Sequence, residues 1–241
     1  MEHTMDFAVS QTPDGFWCIE QDGVRSFLIE GLDNALLVDC CKGGPLAELC
    51  RGYTSRPVHL LLTHADPDHM GCADQFEYCM MHPAEYERWA SRGGGMDRVL
   101  PVWEHEILDL SVNMQIGGYT FEVLHLPGHT PGSIALLERR RRFLIAGDSV
   151  QSDPVYLYGP GRNLEAYRAS LLKLLAMEGG IDRIYCSHGD MVLRSDRLRP
   201  MYRFVDSICR GKGPEPQALA GLPERVVCYE QDGVRLLLER R

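Results

Sequence analysis

The chain has 241 residues, 44% of them hydrophobic and 24% charged, with a formal net charge of −9. This composition is ordinary for a globular protein and long enough to bury a sizeable core within one domain. It argues against a nucleic-acid binder, which relies on clustered Lys and Arg, and against a membrane protein, because no apolar stretch approaches the roughly 18 to 20 residues a bilayer demands.

The opening MEHTMDFAVSQ has no basic region followed by an apolar core, so no secretion signal is read there. Nine cysteines, odd in number and without a CxxC pair, point to reduced, buried thiols in a cytoplasmic protein. FWCIEQDGVRSFLIEG (16–31) reads as a hairpin turning at Asp22-Gly23, followed by a strand over Ala35 to Val38. Gly43-Gly44-Pro45 opens a short helix, PLAELCRGY, with Pro45 near its first position. Val58 to Leu62 is an apolar strand bounded by Pro57 and a cluster of His and Asp. A short helix is expected after Gly71, then a strand around Tyr78 to Met81 and a helix over Ala84 to Ala90. SRGGG (91–95) reads as a loop near the site, too short for a domain linker.

NMQIGGYTFEVLHL (113–126) alternates about a Gly117-Gly118 turn, and SIALLERRRRFLIAGD (133–148) is a second hairpin. Arg139 to Arg142 falls at its tip and reads as a solvated turn. Residues 163–177 have helical apolar spacing with Asn163 able to cap the start. Ile181 to Cys186 returns as a strand, Asp196 to Cys209 as a helix, and RVVCYEQDGVRLLLER closes in a hairpin. EQDGVR occurs at 20–25 and again at 230–235, which two hairpins sharing Asp-Gly turn chemistry account for. No GxGxxG or GxxxxGK[ST] is present. The alternation of strands and helices suits two packed sheets with helices outside.

THADPDHMG (63–71) places His64, Asp66, Asp68 and His69 within six positions of one another, directly after an apolar strand. His129 in LPGHTPGS, Asp148 in IAGDS and His188 in YCSHGD also follow apolar strands, among Gly, Ser and Pro that let a turn present a side chain. Imidazole and carboxylate suit zinc, iron or manganese. Seven such groups exceed what one tetrahedral ion uses, and a metal pair bridged by a carboxylate and a water accommodates them.

HxDxDH, PGHTPGS, AGDS and SHG, in that order, resemble the metallo-β-lactamase superfamily, and LLVDCC (36–41) resembles its first structural motif. PGHTPGS followed by a hairpin and GDS is most similar to the glyoxalase II-like branch. The resemblance spans about residues 15–190 and implies an α/β fold, the αββα four-layer sandwich (metallo-β-lactamase fold). A single domain over 1–241 is expected, with a C-terminal helix and hairpin at 196–241. It implies that His64, Asp66 and His129 hold one divalent metal, that Asp68, His69 and His188 hold a second, and that Asp148 bridges them. A water acidified by the metals then attacks an ester, thioester or lactone carbonyl, with Asp68 orienting it or moving its proton.

Asp66 departs from the family's HxHxDH pattern, where histidine is usual. With Asp66, two divalent ions, three carboxylates and a hydroxide sum to zero, against plus one with histidine. Zinc is the expected metal, and the added carboxylate opens the site to iron or manganese. The flavodiiron oxygen reductases resemble this variant, so a di-iron redox protein acting on oxygen, nitric oxide or a sulfur compound is an alternative. A sensor that retains the pocket is a third reading and a phosphodiesterase a less favoured one. Neither a flavodoxin-like domain nor the basic glutathione-binding helical domain of a true glyoxalase II is expected after residue 200.

SDPVYLYGPGRN (152–163) offers Tyr156, Tyr158 and Arg162 as substrate contacts. His59, His82, His105 and His125 match no motif and read as structural, as do Cys72 and Cys186. Asp39 reads as a support for the ligands rather than a ligand itself. The expected partner is a small-molecule substrate, with neither nucleic acid nor membrane, and the terminal hairpin could pair two copies at a sheet edge.

Overall fold

Asp22 and Gly23 adopt φ of 48° and 77°, the two positive values that a type I′ turn requires. In this computed structural model, which describes residues 6–108 and 118–240, the turn joins β2 to β3 as the sequence predicts. The chain divides into two units, Met1–Leu124 with Leu136–Arg141 and His125–Ala135 with Arg142–Arg241.

In the first unit seven strands make one sheet in chain order: β1 (Ala8–Gln11), β2 (Trp17–Gln21), β3 (Val24–Glu30), β4 (Ala35–Val38), β5 (Val58–Leu61), β6 (Cys79–Met81) and β7 (Val99–Pro101). Pairings from β1 to β4 are antiparallel and those from β4 to β7 are parallel. Parallel neighbours need crossovers. Helix α1 (Leu46–Arg51) lies between β4 and β5, α2 (Pro67–Met70) between β5 and β6, and α3 (Tyr86–Ser91) between β6 and β7. The helix expected after Gly71 is displaced. The single-turn α2 precedes that glycine, with Pro67 in its first turn and Asp66 extended before it, and only a 3-10 turn, Ala73–Gln75, follows. Pro67 is pre-set for a helix start, so the turn forms inside the His/Asp motif itself.

Leu28, Leu37, Leu60, Leu62 and Met81 are buried together with Cys40, Cys41, Cys50, Cys72 and Cys79. Burial pushes the thiol of Cys50 up to about 12 and those of Cys72 and Cys79 to about 11. These groups stay protonated at neutral pH and are poor nucleophiles or metal ligands. All nine cysteines are free.

Strand β8 (Ile107–Leu108) pairs antiparallel with β9 (Phe121–His125). The first part of the expected 113–126 strand, residues 113–117, lies outside the described residues. Strands β10 (Ile134–Glu138) and β11 (Phe143–Ile145) flank the arginine run. Arg139 Nε meets Glu122 at 2.6 Å, Arg141 lies 3.9 Å from the Tyr119 ring centroid, and Arg142 pairs with both Asp182 oxygens. Each of these arginines answers a local partner.

In the second unit β11 runs parallel to β13 (Arg183–Tyr185), which pairs antiparallel with β14 (Val192–Arg194). Strand β12 (Val155–Tyr156) precedes helix α4 (Leu164–Ala176), whose Asn163 side chain accepts from the Ala166 amide as expected of a cap. Helix α5 (Leu198–Cys209) packs on α4 and buries Leu198, Met201, Phe204, Val205 and Ile208, a helical spacing. The closing hairpin joins β15 (Val226–Gln231) to β16 (Val234–Glu239) through Asp232 and Gly233, at φ 51° and 71°. Its Glu230↔Arg235 register repeats Glu20↔Arg25, so the duplicated EQDGVR is one turn chemistry used twice. Strand β16 also pairs parallel with β12. Among the described residues no helix is long and apolar enough to cross a membrane.

Candidate metal centre

All seven sequence-predicted ligands are among the described His and Asp side chains that could hold a metal ion. Four belong to the first unit and three to the second.

The first set hangs from the end of β5. Asp39, just past β4, is 1% exposed and takes a left-handed φ of 60°, which Asp tolerates better than most residues. Its Oδ1 accepts the Thr63 amide at 2.7 Å, and its Oδ2 accepts the Thr63 hydroxyl at 2.8 Å and His69 Nδ1 at 2.8 Å. A carboxylate only accepts, so His69 carries its proton on Nδ1 and its lone pair on Nε2. The Thr63 hydroxyl proton is committed to Asp39, so its oxygen accepts from His64 Nδ1 at 3.0 Å. His64 therefore also presents a lone pair on Nε2. The two Nε2 atoms face carboxylates, His64 toward Asp66 Oδ2 at 3.6 Å and His69 toward Asp68 Oδ2 at 3.8 Å. One buried acid thus sets the tautomers of two imidazoles.

Three residues that sequence reasoning did not single out support Asp66 and the backbone before it. Arg88, on α3, donates to Asp66 Oδ1 through NH2 at 2.7 Å and Nε at 3.0 Å. Arg92 NH2 reaches the same oxygen at 3.4 Å. Glu85 is fully buried and accepts the Ala65 amide at 2.8 Å. Arg88 lies on α3 and Glu85 and Arg92 flank it, in a stretch, AEYERWASR, where Glu and Arg read as an ordinary solvated face. No local signal marks them, because their meaning comes from α3 lying against a loop some 20 residues earlier in the chain.

The second set stands on three turns. Gly128, at φ 140°, lets the chain pass against α4 before His129. His129 Nδ1 is 2.9 Å from the Tyr156 carbonyl, which can only accept, so this ring too presents its lone pair on Nε2. Asp148 follows Gly147 (φ 53°) and is 6% exposed. Its Oδ2 lies 3.4 Å from His129 Nε2 and its Oδ1 3.5 Å from His188 Nε2. A single carboxylate thereby offers one oxygen beside each of two imidazoles.

The Arg162 guanidinium donates to the His129 carbonyl, so it braces the loop that carries this histidine. Tyr156 is 42% exposed, with its ring centroid 5.8 Å from that of Tyr158. The histidines read as structural have partners of their own. His59 bonds Asn34 and stacks on Tyr78, and burial lowers its pKa. His82 caps the turn at Ala84, His105 faces Glu122, and His125 meets the Pro131 carbonyl. Cys72 and Cys186 direct their sulfurs to the carbonyls of Gly44 and Ile184.

Asp39→Asn is expected to weaken divalent-metal binding about 10- to 100-fold. The amide NH2 would face donors that Asp39 now accepts. Competition against a chromophoric chelator measures this, and an unchanged affinity would remove Asp39 from its orienting role.

The family described as the metallo-beta-lactamase superfamily matches residues 19–188. The acyl-coenzyme A thioesterase MBLAC2 of Gallus gallus is 28% identical over 212 residues, 77% of this chain and 76% of that protein. The hydroxyacylglutathione hydrolase GloC of Haemophilus influenzae is 34% identical over 136 residues, 48% of this chain and 60% of that one. Among solved structures, a metallo-beta-lactamase from Pontibacter korlensis superposes with a TM-score of 0.69 at 16% identity, covering 83% of this chain and 99% of its own. That likeness shows the fold, the α/β sandwich expected from the motifs.

Proposed function

The chain belongs to the metallo-beta-lactamase superfamily, and on that premise we propose that it is a metal-dependent hydrolase of acyl thioesters. His64, Asp66 and His129 are the proposed ligands of one divalent ion, Asp68, His69 and His188 of another, with Asp148 shared between the two. The observation that carries this reading is the Asp148 carboxylate, with an oxygen 3.4 Å from His129 Nε2 and another 3.5 Å from His188 Nε2. The donor set fits such ions. Three imidazoles have Nδ1 engaged and Nε2 presenting a lone pair, and the remaining donors are carboxylates, as zinc, manganese and iron accept.

Two divalent ions bound there would supply a Lewis acid and a water acidified toward neutral pH. Asp68, with 31% of its side chain exposed, is less buried than Asp66 or Asp148 and suits proton transfer. Its Oδ takes the proton of the attacking water and returns it to the departing sulfur, so thioester and water yield acid and thiol. Tyr156 and Tyr158 offer aromatic surface to the acyl group. A thioester is preferred over other carbonyls because one relative is named an acyl-coenzyme A thioesterase and another a hydroxyacylglutathione hydrolase. Both names place an acyl group on sulfur.

The test is protein purified without added metal, assayed for thiol release from a panel of acyl-coenzyme A and acylglutathione substrates. Turnover is expected to fall at least ~100-fold on chelation and to return with added zinc or manganese. Metal-loaded protein that releases no thiol yet cleaves a p-nitrophenyl ester or a lactone would change the substrate class. Bound iron with oxygen uptake would overturn hydrolysis altogether.

A further inference from the structure

We infer that Arg88 is a positioning residue that turns Asp66 into a charge-compensated, single-oxygen substitute for a histidine ligand. This rests on the proposed role of Asp66 as a metal ligand. The two oxygens of Asp66 have separate tasks. Oδ1 receives two donors of the Arg88 guanidinium, at 2.7 and 3.0 Å, with Arg92 more distant at 3.4 Å. Oδ2 lies on the other side, 3.6 Å from His64 Nε2. An Oδ1 held by a rigid planar fork does not swing round to chelate an ion with both oxygens. What remains for a metal is one oxygen of an ion pair whose charges cancel, much as an imidazole offers one nitrogen of a neutral ring.

The pair is built into the fold. The Asp66 side chain is 11% exposed and that of Arg88 17%, so solvent screens the attraction only in part. Arg88 Nε also lies 4.0 Å from Glu85 Oε2, the oxygen that accepts the Ala65 amide. The backbone between His64 and Asp66 and the guanidinium that faces Asp66 are thus tied to one buried acid. Counting Arg88 also changes the charge argument. With the Arg88 and Arg92 guanidiniums counted against the Glu85 carboxylate, the sum of zero obtained with Asp66 alone becomes plus one, the value of the histidine version. The harder-metal preference expected from Asp66 is thereby cancelled, and zinc is favoured.

The consequence is counter-intuitive. Restoring the family's histidine by Asp66→His should weaken the zinc site, because it removes the carboxylate that offsets the Arg88 guanidinium and so adds one net positive charge beside two divalent ions. Four forms decide the matter: wild type, Asp66→His, Arg88→Met and the double variant, stripped of metal, checked for fold by circular dichroism and titrated with zinc and with manganese against chelators. Asp66→His is expected to bind zinc about 30-fold more weakly, and the double variant to recover to within about 3-fold of wild type. Arg88→Met alone should lower the preference for zinc over manganese about 10-fold, because the released carboxylate can chelate a hard ion. Arg88→Gln, which keeps a donor without the charge, carries the same prediction where Arg88→Met does not fold. A merely structural ion pair would lower the melting temperature and leave the double variant no better than Asp66→His. That result, or full zinc affinity in Asp66→His, overturns the pairing and leaves the hydrolase reading standing. Wild-type protein that binds neither ion overturns both.

Discussion

Asp148→Asn is expected to reduce the proposed thioester hydrolysis by roughly 10³-fold or more while leaving the protein folded. The side chain is nearly isosteric, so the loss would be chemical rather than steric. In the native chain each Asp148 oxygen is beside a different imidazole, at 3.4 and 3.5 Å. The amide replaces one acceptor oxygen with an NH2, which cannot bind a cation and directs protons toward it. It also removes one of the negative charges proposed to hold two dications together, so one ion should be lost or bound far more weakly. The metal-free protein behaves in the opposite way. Burying a carboxylate among polar groups costs stability, and Asp148 is 6% exposed, so the metal-free variant should melt at the same temperature as wild type or higher. Metal content, turnover and melting of the metal-free form are the three measurements. Unchanged metal content and turnover in Asp148→Asn would sink the two-metal mechanism. A large fall in melting temperature would instead assign the residue to the fold.

Where a residue's meaning is local, it was legible in the sequence. Asp-Gly at 22–23 and 232–233 announces two tight hairpins, and both take the positive φ values this turn needs. Asn163 announces the start of α4, and its side chain caps that helix. The candidate ligand motifs were recognisable because each is a short run of special residues at a strand end. Other parts were not legible, for two physical reasons. Strands β1, β7 and β14 are three or four residues long, too short for alternation to declare itself, and β7 includes a proline that the edge of a sheet tolerates. The second reason concerns charge. Asp66, read alone, adds an uncompensated negative charge to the site. Its compensating cation sits 22 residues away on α3, and only the folded chain brings the two together. A charge count made on a motif is incomplete until the residues packed against it are counted too.

Gly128→Ala should be strongly destabilising. A Cβ built at Gly128 would lie 2.4 Å from both the Tyr167 Cα and N and 2.5 Å from its Cβ. These atoms belong to the backbone of α4 and the root of a fully buried ring, so no flexible tip can move aside. The segment is also tied on both flanks. The Asn163 amide donates to the Gly128 carbonyl at 2.9 Å, and the Ser170 hydroxyl donates to the Pro127 carbonyl at 2.7 Å. Relief therefore means shifting α4 or the turn that carries His129. The φ of 140° adds strain for any L side chain, about 1–3 kcal/mol, and overpacking adds about 1–3 kcal/mol more. A total near 4 kcal/mol corresponds to a fall in Tm of roughly 10 °C for a chain of this size. Gly159→Ala separates the two contributions. Its φ of 90° is also left-handed, but nothing lies within 4 Å of its added Cβ, so it should cost only the strain, about 1–2 kcal/mol. If the two variants melt within about 2 °C of each other, the close approach of α4 is not what demands glycine at 128. If Gly128→Ala melts far lower and also binds zinc more weakly, the glycine serves the site as well as the fold, because the residue displaced with it is His129.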